Sequence, residues 1–426
     1  MNKKEEKEPQ SPAVIAAVWI ARIVIGALFV ISGFAKADDL YGFIYKIEEY
    51  LEVWGWTQPR SLVLVAAMSL SAMEFLLGAM LALGCYKRTC VWLLLAMMAF
   101  MLPLSGYIYF ADPVADCGCF GDFWIISNGA TFLKNIAITA ALVFLAMYNS
   151  RVDGLFGSYV QWLVATVCAV YILIIGSIGY MVQPLVDFRS FPTGSILVQH
   201  DGGGDEAEFE FIYEKDGEEK TFAVDNLPDS TWTFVDRRQI SGKISEKTDF
   251  VVLDGDDNVT DDVISAEGEQ LLIIIPDYSR ADVSCTYAIN EMSDYIASRG
   301  GSVLCLLAAD SAQTEEWRDL SMADYPVFYA EPTVLKELAR GVMAAVYLRD
   351  GVIVWKRTLS SIDPDIFAAA SGRSDVMDSL AGDGPGTARN FTFILLAVLA
   401  VLFMLDRSGR LLDWSIKLKK RAETLK

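Results

Sequence analysis

Apolar residues are grouped along the chain into runs that are long enough to cross a membrane. The runs extend over Ala13–Phe34, Leu62–Leu83, Val91–Phe110, Phe132–Met147, Tyr159–Val182 and Phe391–Leu405. A spanning helix needs about 20 apolar residues, and shorter runs are tolerated where flanking charges reach the interface. Arg389 and Arg407 flank the last and shortest run in this way. The pattern predicts six transmembrane helices.

A different pattern fills the space between the fifth and sixth runs. Glu206–Tyr213 and Glu219–Val224 alternate apolar with polar residues around Asp216-Gly217, which is typical of a β-hairpin. From Phe250 onwards, strand-like runs alternate with helical patterns and end in a second hairpin at Asp350-Gly351. Alternating strands and helices predict an α/β domain. The fold class is therefore a helical membrane protein with an extracytoplasmic α/β domain that follows a β-rich segment.

Charge is distributed unevenly between these two kinds of sequence. The whole chain has 55 acidic against 35 basic residues, although 53% of its residues are hydrophobic. Between Asp187 and Asp383 there are 39 acids and 16 bases, a net charge of 39 − 16 = 23 negative. The acidic domain is therefore inserted among membrane helices. Nucleic-acid binding is disfavoured, because no basic face is predicted outside the membrane.

Basic residues predict the orientation, since they concentrate in cytoplasmic loops. With six spans, Lys87, Arg88, Arg151 and the basic tail after Arg407 all fall on one side. Both termini are then cytoplasmic in a bacterial inner membrane, and residues 183–389 are periplasmic. The predicted parts are the N-terminus 1–12, a four-helix part 13–149, the fifth helix 159–182, the β-rich segment 187–248, the α/β domain 249–372, a linker 373–390, the sixth helix 391–405 and a basic amphipathic tail 406–426.

The most distinctive motif lies on the predicted periplasmic side. Cys117-Gly118-Cys119 occupies a short polar loop, and glycine allows the backbone to bring the two sulfurs together. A Cys-x-Cys disulfide closes a small ring, which favours a redox-active pair over a structural crosslink. Two alternatives stay open: a pair of unlinked thiols, and half of a metal site completed by an aspartate such as Asp116.

Several ionisable residues fall within or beside the predicted spans. Arg22 and Glu74 reach similar depth, so we expect a buried pair that either fixes helix register or relays protons. Lys36 and Lys134 lie at the outer ends of their helices, where a cation would stabilise a thiolate. The alternative for each is to anchor its helix at the interface, which is the commoner role of a lysine at a helix end.

These residues carry a resemblance to a known family. The features are Arg22, Ser32-Gly33-Phe34-Ala35-Lys36, Glu74 with Gly78 and Gly84, and the Asp-Cys-Gly-Cys-Phe-Gly loop. Residues 13–149 resemble the DoxX/MauE-type membrane proteins. The resemblance implies a four-helix bundle like those of membrane thiol oxidoreductases. It also implies quinone-linked oxidation in the DoxX branch and disulfide formation in a periplasmic partner in the MauE branch.

The α/β domain resembles the TlpA-like branch of the thioredoxin fold but lacks most of its redox residues. The helical register places Asp282-Val-Ser-Cys285 where that family has Cys-x-x-Cys. Asp282 replaces the attacking cysteine and is expected to cap the helix, and Met343 stands at the position of the cis-proline. We expect the helix dipole to lower the pKa of Cys285. The resemblance implies partner docking at Asp282, Cys285 and Met343, with mixed disulfides at Cys285 as the alternative.

Taken together, these patterns favour a membrane thiol oxidoreductase. Cys117 and Cys119 would pass electrons from extracytoplasmic thiols to a membrane quinone. Lys36 and Lys134 would stabilise the thiolate, Glu74 and Arg22 would serve the proton path or the structure, and the degenerate domain would dock a protein partner. The competing hypotheses are a non-catalytic scaffold of an envelope complex and a metal-handling protein. The sequence leaves the oligomeric state open.

Overall fold

A computed structural model describes residues 11–114, 117–124, 126–197, 208–215, 218–223, 233–241, 250–368 and 375–424. The chain forms two compact units. The membrane unit comprises Met1–Arg189 and Ala381–Lys426, and the sheet unit comprises Ser190–Leu380. The inserted α/β domain of the sequence prediction lies within the sheet unit.

Seven helices build the described part of the membrane unit. They are α1 (Pro12–Asp38), α2 (Leu40–Val53), α3 (Arg60–Leu83), α4 (Lys87–Ala111), α5 (Asn128–Tyr148), α6 (Gln161–Met181) and the last helix, α13 (Gly384–Thr424). Within the described residues, six of them are long and apolar enough to cross a membrane, and α2 is the exception. The six predicted apolar runs are thus confirmed as helices, and the chain is a helical membrane protein.

Glycines bring α1 and α3 into close antiparallel contact. A Cβ atom on Gly26 would lie 2.7 Å from the carbonyl oxygen of Gly78, and one on Gly33 would lie 2.4 Å from the backbone nitrogen of Phe75. Only glycine leaves room for backbones at this separation. The contact fixes the register between the two helices, and that register decides which polar side chains meet.

The short helix α2 follows α1 almost immediately. The carboxylate of Asp39 caps it by accepting a hydrogen bond from the backbone N–H of Gly42 over 2.9 Å. Its apolar face packs on the N-terminal part of α3, through Leu40 and Ile44 against Val63. This element was not predicted, because only three of its fourteen residues are buried and no long apolar run marks it.

The last helix is longer than predicted. The sequence analysis placed a boundary at Asp406 between the sixth span (391–405) and the tail (406–426), whereas α13 runs unbroken from Gly384 to Thr424. Asp406 lies inside the helix, where its carboxylate accepts hydrogen bonds from the backbone N–H of Gly157 and from Arg410. The helix continues through this position because the charge has partners there.

The sheet unit contains two sheets. A three-stranded antiparallel sheet has the order β2-β1-β3, formed by β1 (Glu208–Lys215), β2 (Glu218–Ala223) and β3 (Thr233–Ser241). It confirms the strands that were predicted in the β-rich segment. The predicted turn at Asp216-Gly217 lies outside the described residues.

The larger sheet has seven strands in the order β10-β9-β6-β7-β8-β4-β5. Its elements are β4 (Val252–Asp254), β5 (Asp257–Asn258), α7 (Thr260–Val263), β6 (Glu269–Ile275), α8 (Thr286–Ser298), β7 (Ser302–Leu307), α9 (Ser311–Ser321), β8 (Val327–Ala330), α10 (Pro332–Leu338), β9 (Ala344–Arg349), β10 (Val352–Thr358), α11 (Asp365–Ala368) and α12 (Val376–Leu380). β6, β7 and β8 are parallel, and β9 and β10 are antiparallel additions beside β6. Buried clusters cover both faces of the sheet.

Candidate functional site

The candidate site is the cysteine loop, defined as residues 112–127 between α4 and α5. The sulfur atoms of Cys117 and Cys119 lie 2.7 Å apart as free thiols. Gly118 has a φ of +65°, a conformation that glycine adopts without strain. A disulfide bond is about 2.05 Å long, so a small movement of the sulfurs would close it. The predicted juxtaposition of the two cysteines is therefore present.

Hydroxyl groups from two helices hold the backbone of this pair. Tyr50 on α2 donates a hydrogen bond to the carbonyl oxygen of Cys117 over 3.0 Å. The hydroxyl oxygen of Ser32 on α1 lies 2.6 Å from the carbonyl oxygen of Cys119. The aliphatic stem of Lys46 on α2 covers Gly118, since a Cβ there would lie 2.6 Å from its Cγ atom. The loop is thus pinned between α2 and α1.

A buried polar cluster joins the loop to the bundle. The ammonium nitrogen of Lys36 lies 2.7 and 2.8 Å from the two carboxyl oxygens of Glu74, and both residues are less than a tenth exposed. The hydroxyl of Ser32 lies 2.7 Å from Oε2 of Glu74. Two carboxyl oxygens therefore have three short polar contacts in a site that water scarcely reaches. Such a cluster is costly to bury unless its groups satisfy one another.

The hydrogen bond between the two thiols gives the cysteines different acidities. The pKa of Cys119 is lowered to about 7, first by the hydrogen bond from the Cys117 thiol and then by the charges of Lys134 and Lys36, which outweigh the opposing effects of burial and Glu74. The same sulfur–sulfur hydrogen bond raises the pKa of Cys117, and burial adds to that increase. Lys134 is half-buried on α5, with its ammonium 4.5 Å from the ring centre of Phe120. Cys119 is therefore the more acidic thiol of the pair.

The predicted pairing of Arg22 with Glu74 is wrong. Arg22 lies level with the end of α3, where its guanidinium donates to the carbonyl oxygens of Asn149, Val152 and Asp153 and to the side chain of Asn149. A Cβ atom on Gly84, the residue that ends α3, would lie 3.0 Å from this guanidinium. The depths were misjudged because α1 extends well beyond the end of α3. Lys36 takes the place beside Glu74, and Arg22 ties the other end of the bundle together.

The peptide that leads out of α6 is fixed beside the cysteine loop. The buried carboxylate of Asp38 accepts hydrogen bonds from the backbone N–H groups of Leu185 and Val186, each over 3.0 Å. The ring of Phe188 packs edge-on against Phe123 of the loop, with ring centres 4.9 Å apart. The chain therefore leaves the membrane unit at the end that carries the cysteine pair.

In the sheet unit, the three predicted docking residues come together before α8. Asp282 accepts a hydrogen bond from the backbone N–H of Ser284 over 2.9 Å, so it caps the short 3₁₀ turn Val283–Cys285 that leads into α8. The backbone N–H of Asp282 points at the sulfur of buried Met343 over 3.1 Å. No cis peptide bond occurs in the part of the chain that the structure describes.

The expected activation of Cys285 is wrong. Burial raises the pKa of its thiol, and the charge of Asp282 raises it further. The cap carboxylate and the half-buried position thus outweigh the helix dipole. The pKa of Cys285 is raised, whereas that of Cys119 is lowered.

Metal-binding geometry is not seen among the residues that the structure describes. They hold no group of three or more His, Cys, Asp or Glu side chains placed to share an ion. Asp116, the aspartate of the metal hypothesis, lies outside the described residues.

Ser32, Tyr50 and Lys46 were not singled out as site residues by sequence reasoning. A signal for Ser32 exists, since it lies four residues before Lys36 and so shares a helix face with it. Tyr50 and Lys46 carry no such signal, because the loop meets α2 only in the folded chain.

Comparison with known families bears on both units. Residues 15–148 match the family model described as methylamine utilisation protein MauE. This part of the membrane unit, α1 to α5, is MauE-like. Residues 207–242, which include the three-stranded sheet, match a domain of unknown function, DUF8463. No curated protein and no solved structure matches the chain.

Proposed function

We propose that the MauE-like membrane unit is a thiol–disulfide oxidoreductase that passes electrons from extracytoplasmic thiols to a membrane quinone. The observation that carries the proposal is the pair of thiols whose sulfurs lie 2.7 Å apart, held by hydroxyls from two helices. The electrostatics of the loop move their pKa values in opposite directions. A low-pKa thiol beside a high-pKa partner is suited to exchange, because one sulfur attacks or leaves as a thiolate and the other holds its proton. Two unlinked structural thiols would not need such a setting.

Each neighbour has a separate task in this proposal. Lys134 and Lys36 stabilise the Cys119 thiolate, and Ser32 and Tyr50 hold the cysteine backbones at the distance needed for bond formation. Glu74 holds Lys36 in place. Arg22 serves the structure at the other end of the bundle, which replaces its expected part in the proton path.

A quinone has a suitable polar contact in the membrane unit. The side-chain nitrogen of Asn135 is buried without a hydrogen-bond partner among the described residues, and Asn135 directly follows Lys134 on the buried face of α5. An amide N–H in an apolar bundle suits a quinone carbonyl oxygen. A bound quinone would supply a two-electron acceptor, and Asn135 would orient it.

We place the cysteine loop on the periplasmic side of a bacterial inner membrane, with both termini cytoplasmic. The basic residues near α3–α4 and after α13 support this orientation. Disulfides persist on the periplasmic side, as the proposed chemistry requires.

We propose a degenerate thioredoxin-like fold for the sheet unit, with a role in docking a protein partner. The run β10-β9-β6-β7, in which β6 and β7 are parallel and β9 and β10 antiparallel, supports this assignment. Asp282 stands in place of a nucleophile and Cys285 has a raised pKa, which favours binding over exchange.

The test is the thiol state of periplasmic proteins in cells that carry Cys117→Ala or Cys119→Ala. We expect reduced thiols to accumulate in the substrate proteins of either variant. Cys168→Ala is the matched control, since this cysteine is buried in α6 away from the loop. Unchanged substrate disulfides in both loop variants would refute an oxidoreductase.

A second candidate is a non-catalytic scaffold of an envelope complex. The loss of thioredoxin-type residues from the sheet unit favours it, because the unit then keeps only a binding surface. Under this alternative, deleting residues 190–380 would abolish the cellular phenotype and the two loop-cysteine variants would leave it intact.

A further inference from the structure

The second half of α2 lies over the cysteine pair. Lys46 and Tyr50 are one turn apart, so both side chains project from the same side of the helix. The Tyr50 hydroxyl donates to the carbonyl oxygen of Cys117 over 3.0 Å, and the stem of Lys46 lies against Gly118. Cys117 is 7% exposed beneath them. With so little exposed surface, Cys117 offers hardly any contact to a protein thiol while α2 keeps this position.

The opposite side of Cys117 is closed by a helix that is fixed in the bundle. Cys117 packs with Ile108 on α4 and with Val114, and both of these residues are buried. α4 in turn packs closely on α5, since a Cβ atom on Gly106 would lie 3.3 Å from the ring of Phe132. Of the two covers, α2 is therefore the one that can move without opening the bundle.

α2 is firmly attached only at its beginning. Its buried residues all lie within the first five positions: Leu40, Tyr41 and Ile44. Positions 45–53 are half-buried or exposed. Asp39 separates α2 from α1 with non-helical backbone angles, and beyond the other end Gly55 has a φ of +67°, where a Cβ atom would meet nothing within 4 Å. A helix with one packed turn and an open far end is suited to pivot about its first turn.

Two tryptophans form a tryptophan tip, Trp54 and Trp56, in the turn between α2 and α3. They are 39% and 62% exposed, and their ring centres lie 5.9 Å apart. Trp54 also stacks on Tyr50, with ring centres 6.3 Å apart. The tryptophan tip is therefore in contact with the residue that covers Cys117.

The position of the tryptophan tip in the chain indicates a lipid surface as its partner. Leu62 and Val65, at the start of α3, are 59% and 65% exposed, and apolar side chains on the outside of a spanning helix face lipid. Trp56 precedes α3 by four residues, so the tip lies where the bilayer meets water. Tryptophan concentrates at that interface, because its ring combines an apolar body with a polar N–H group.

We propose that α2 is a lid over the cysteine pair, that its tryptophan tip binds the surface of the lipid bilayer, and that the lid lifts to admit a substrate thiol. This inference rests on the proposed oxidoreductase function and adds control of access to it. Tyr50 holds the closed lid at Cys117, Lys46 holds it at Gly118, and the tip holds it at the bilayer. Access to Cys117 is then limited by how often α2 lifts.

The first experiment measures how fast Cys117 is labelled in the full-length Cys119→Ser protein in lipid nanodiscs. The rate with a maleimide on a polyethylene glycol chain, which needs the lid raised, is divided by the rate with N-ethylmaleimide, so that changes in thiol acidity cancel. We expect Tyr50→Phe to raise this ratio about two- to tenfold, the effect of losing one hydrogen bond. Tyr45→Phe is the matched control, because Tyr45 packs on Tyr41 at the attached end of α2. An unchanged ratio in Tyr50→Phe, or an equal rise in Tyr45→Phe, overturns the lid.

The second experiment tests the lipid contact and does not depend on the cysteines. Tryptophan emission is recorded in nanodiscs whose phospholipids carry bromine at the headgroup end of the acyl chains, which quenches the rings that touch them. We expect Trp56→Phe to remove part of the quenched emission, whereas Trp355→Phe, which replaces a buried ring of the sheet unit, should leave the quenched emission unchanged. Quenched emission that is unchanged in Trp56→Phe would show that water or another protein covers the tip, and would overturn the inference.

The tip and the lid are linked by one further variant. Trp56→Ala should raise the labelling ratio of Cys117, because the far end of α2 loses its hold on the bilayer. The thiol state of the wild-type protein, trapped in parallel with a mass-shifting maleimide, separates the two proposals. If the wild-type pair never forms a disulfide, the proposed function and the inference both fail. If it forms one and the labelling of Cys117 is insensitive to Tyr50 and Trp56, only the lid fails.

Discussion

At the residue scale, the pKa of Cys119 is lowered first by the Cys117 thiol and then by a half-buried cation, Lys134. Lys134 contributes more than Lys36 to lowering its pKa, and Glu74 opposes Lys36. Removing Lys134 should therefore reduce the fraction of Cys119 that is ionised at neutral pH, although Lys134 is partly exposed.

We predict that Lys134→Gln raises the pKa of Cys119 from about 7 towards the ordinary value of a cysteine, about 8.5. Since the thiolate is the form that reacts, alkylation at pH 7 should slow, and the pH profile should shift to higher pH. The measurement is the rate of iodoacetamide labelling of Cys119 against pH. Arg88→Gln, an exposed change at the start of α4, is the control. Identical profiles for Lys134→Gln and wild type would contradict the assignment.

We predict that the two partly exposed cysteines differ in reactivity. At pH 7.5 Cys119 should be alkylated well before Cys285, because the pKa of Cys119 is lowered and that of Cys285 is raised by burial and Asp282. A time course of labelled peptides by mass spectrometry compares both in one sample. Equal labelling rates would contradict the difference in pKa and would support thiol exchange at Cys285.

The residue scale is also where sequence reasoning was least complete. The types and positions of Lys36, Glu74, Lys134 and both loop cysteines marked them as candidate site residues, because charges within or beside a span are costly unless they are paired or functional. The partners could not be predicted. Glu74 meets Lys36 rather than Arg22 because the glycine contacts between α1 and α3 set a register that no pattern within either helix contains.

At the element scale, the register between α1 and α3 depends on glycines, because a side chain at these positions would meet the backbone of the facing helix. We predict that Gly33→Ala destabilises the membrane unit by about 1–3 kcal/mol, because the added methyl group meets the backbone of Phe75. Gly409→Ala, where a Cβ meets nothing within 4 Å, should be neutral or slightly stabilising. Thermal unfolding in detergent compares the two. A stable Gly33→Ala variant would contradict the close contact.

Replacing Arg22 tests whether the end of the bundle that it holds affects the cysteine loop. We predict that Arg22→Met lowers the unfolding temperature, because each backbone carbonyl left without a donor costs about 1–3 kcal/mol. The pH profile of Cys119 should not change, since Arg22 lies fourteen residues, about 21 Å along α1, from Lys36. A shifted profile in the folded variant would place Arg22 in the proton path after all.

Element prediction succeeded where a single physical constraint sets length. Membrane thickness fixes the six apolar runs, and the alternation of strands and helices from Phe250 onwards marks the larger sheet. Neither constraint applies to α2, which rests on α3 through a short apolar face, or to the continuation of α13 past Asp406.

At the scale of the whole molecule, charge and apolar character are divided between two units. The acidic stretch from Asp187 to Asp383 belongs almost entirely to the sheet unit. This arrangement follows from six spans with an insertion after the fifth. Composition and run length alone were sufficient to predict it.

The central claim is that Cys117 and Cys119 cycle between dithiol and disulfide, and the most direct test is their thiol state in intact membranes. Acid quenching followed by a mass-shifting maleimide counts the free thiols in respiring and respiration-blocked cells, with the other five cysteines replaced by alanine. The account predicts a disulfide during respiration that becomes a dithiol when respiration is blocked. Thiols that stay reduced under both conditions would contradict it.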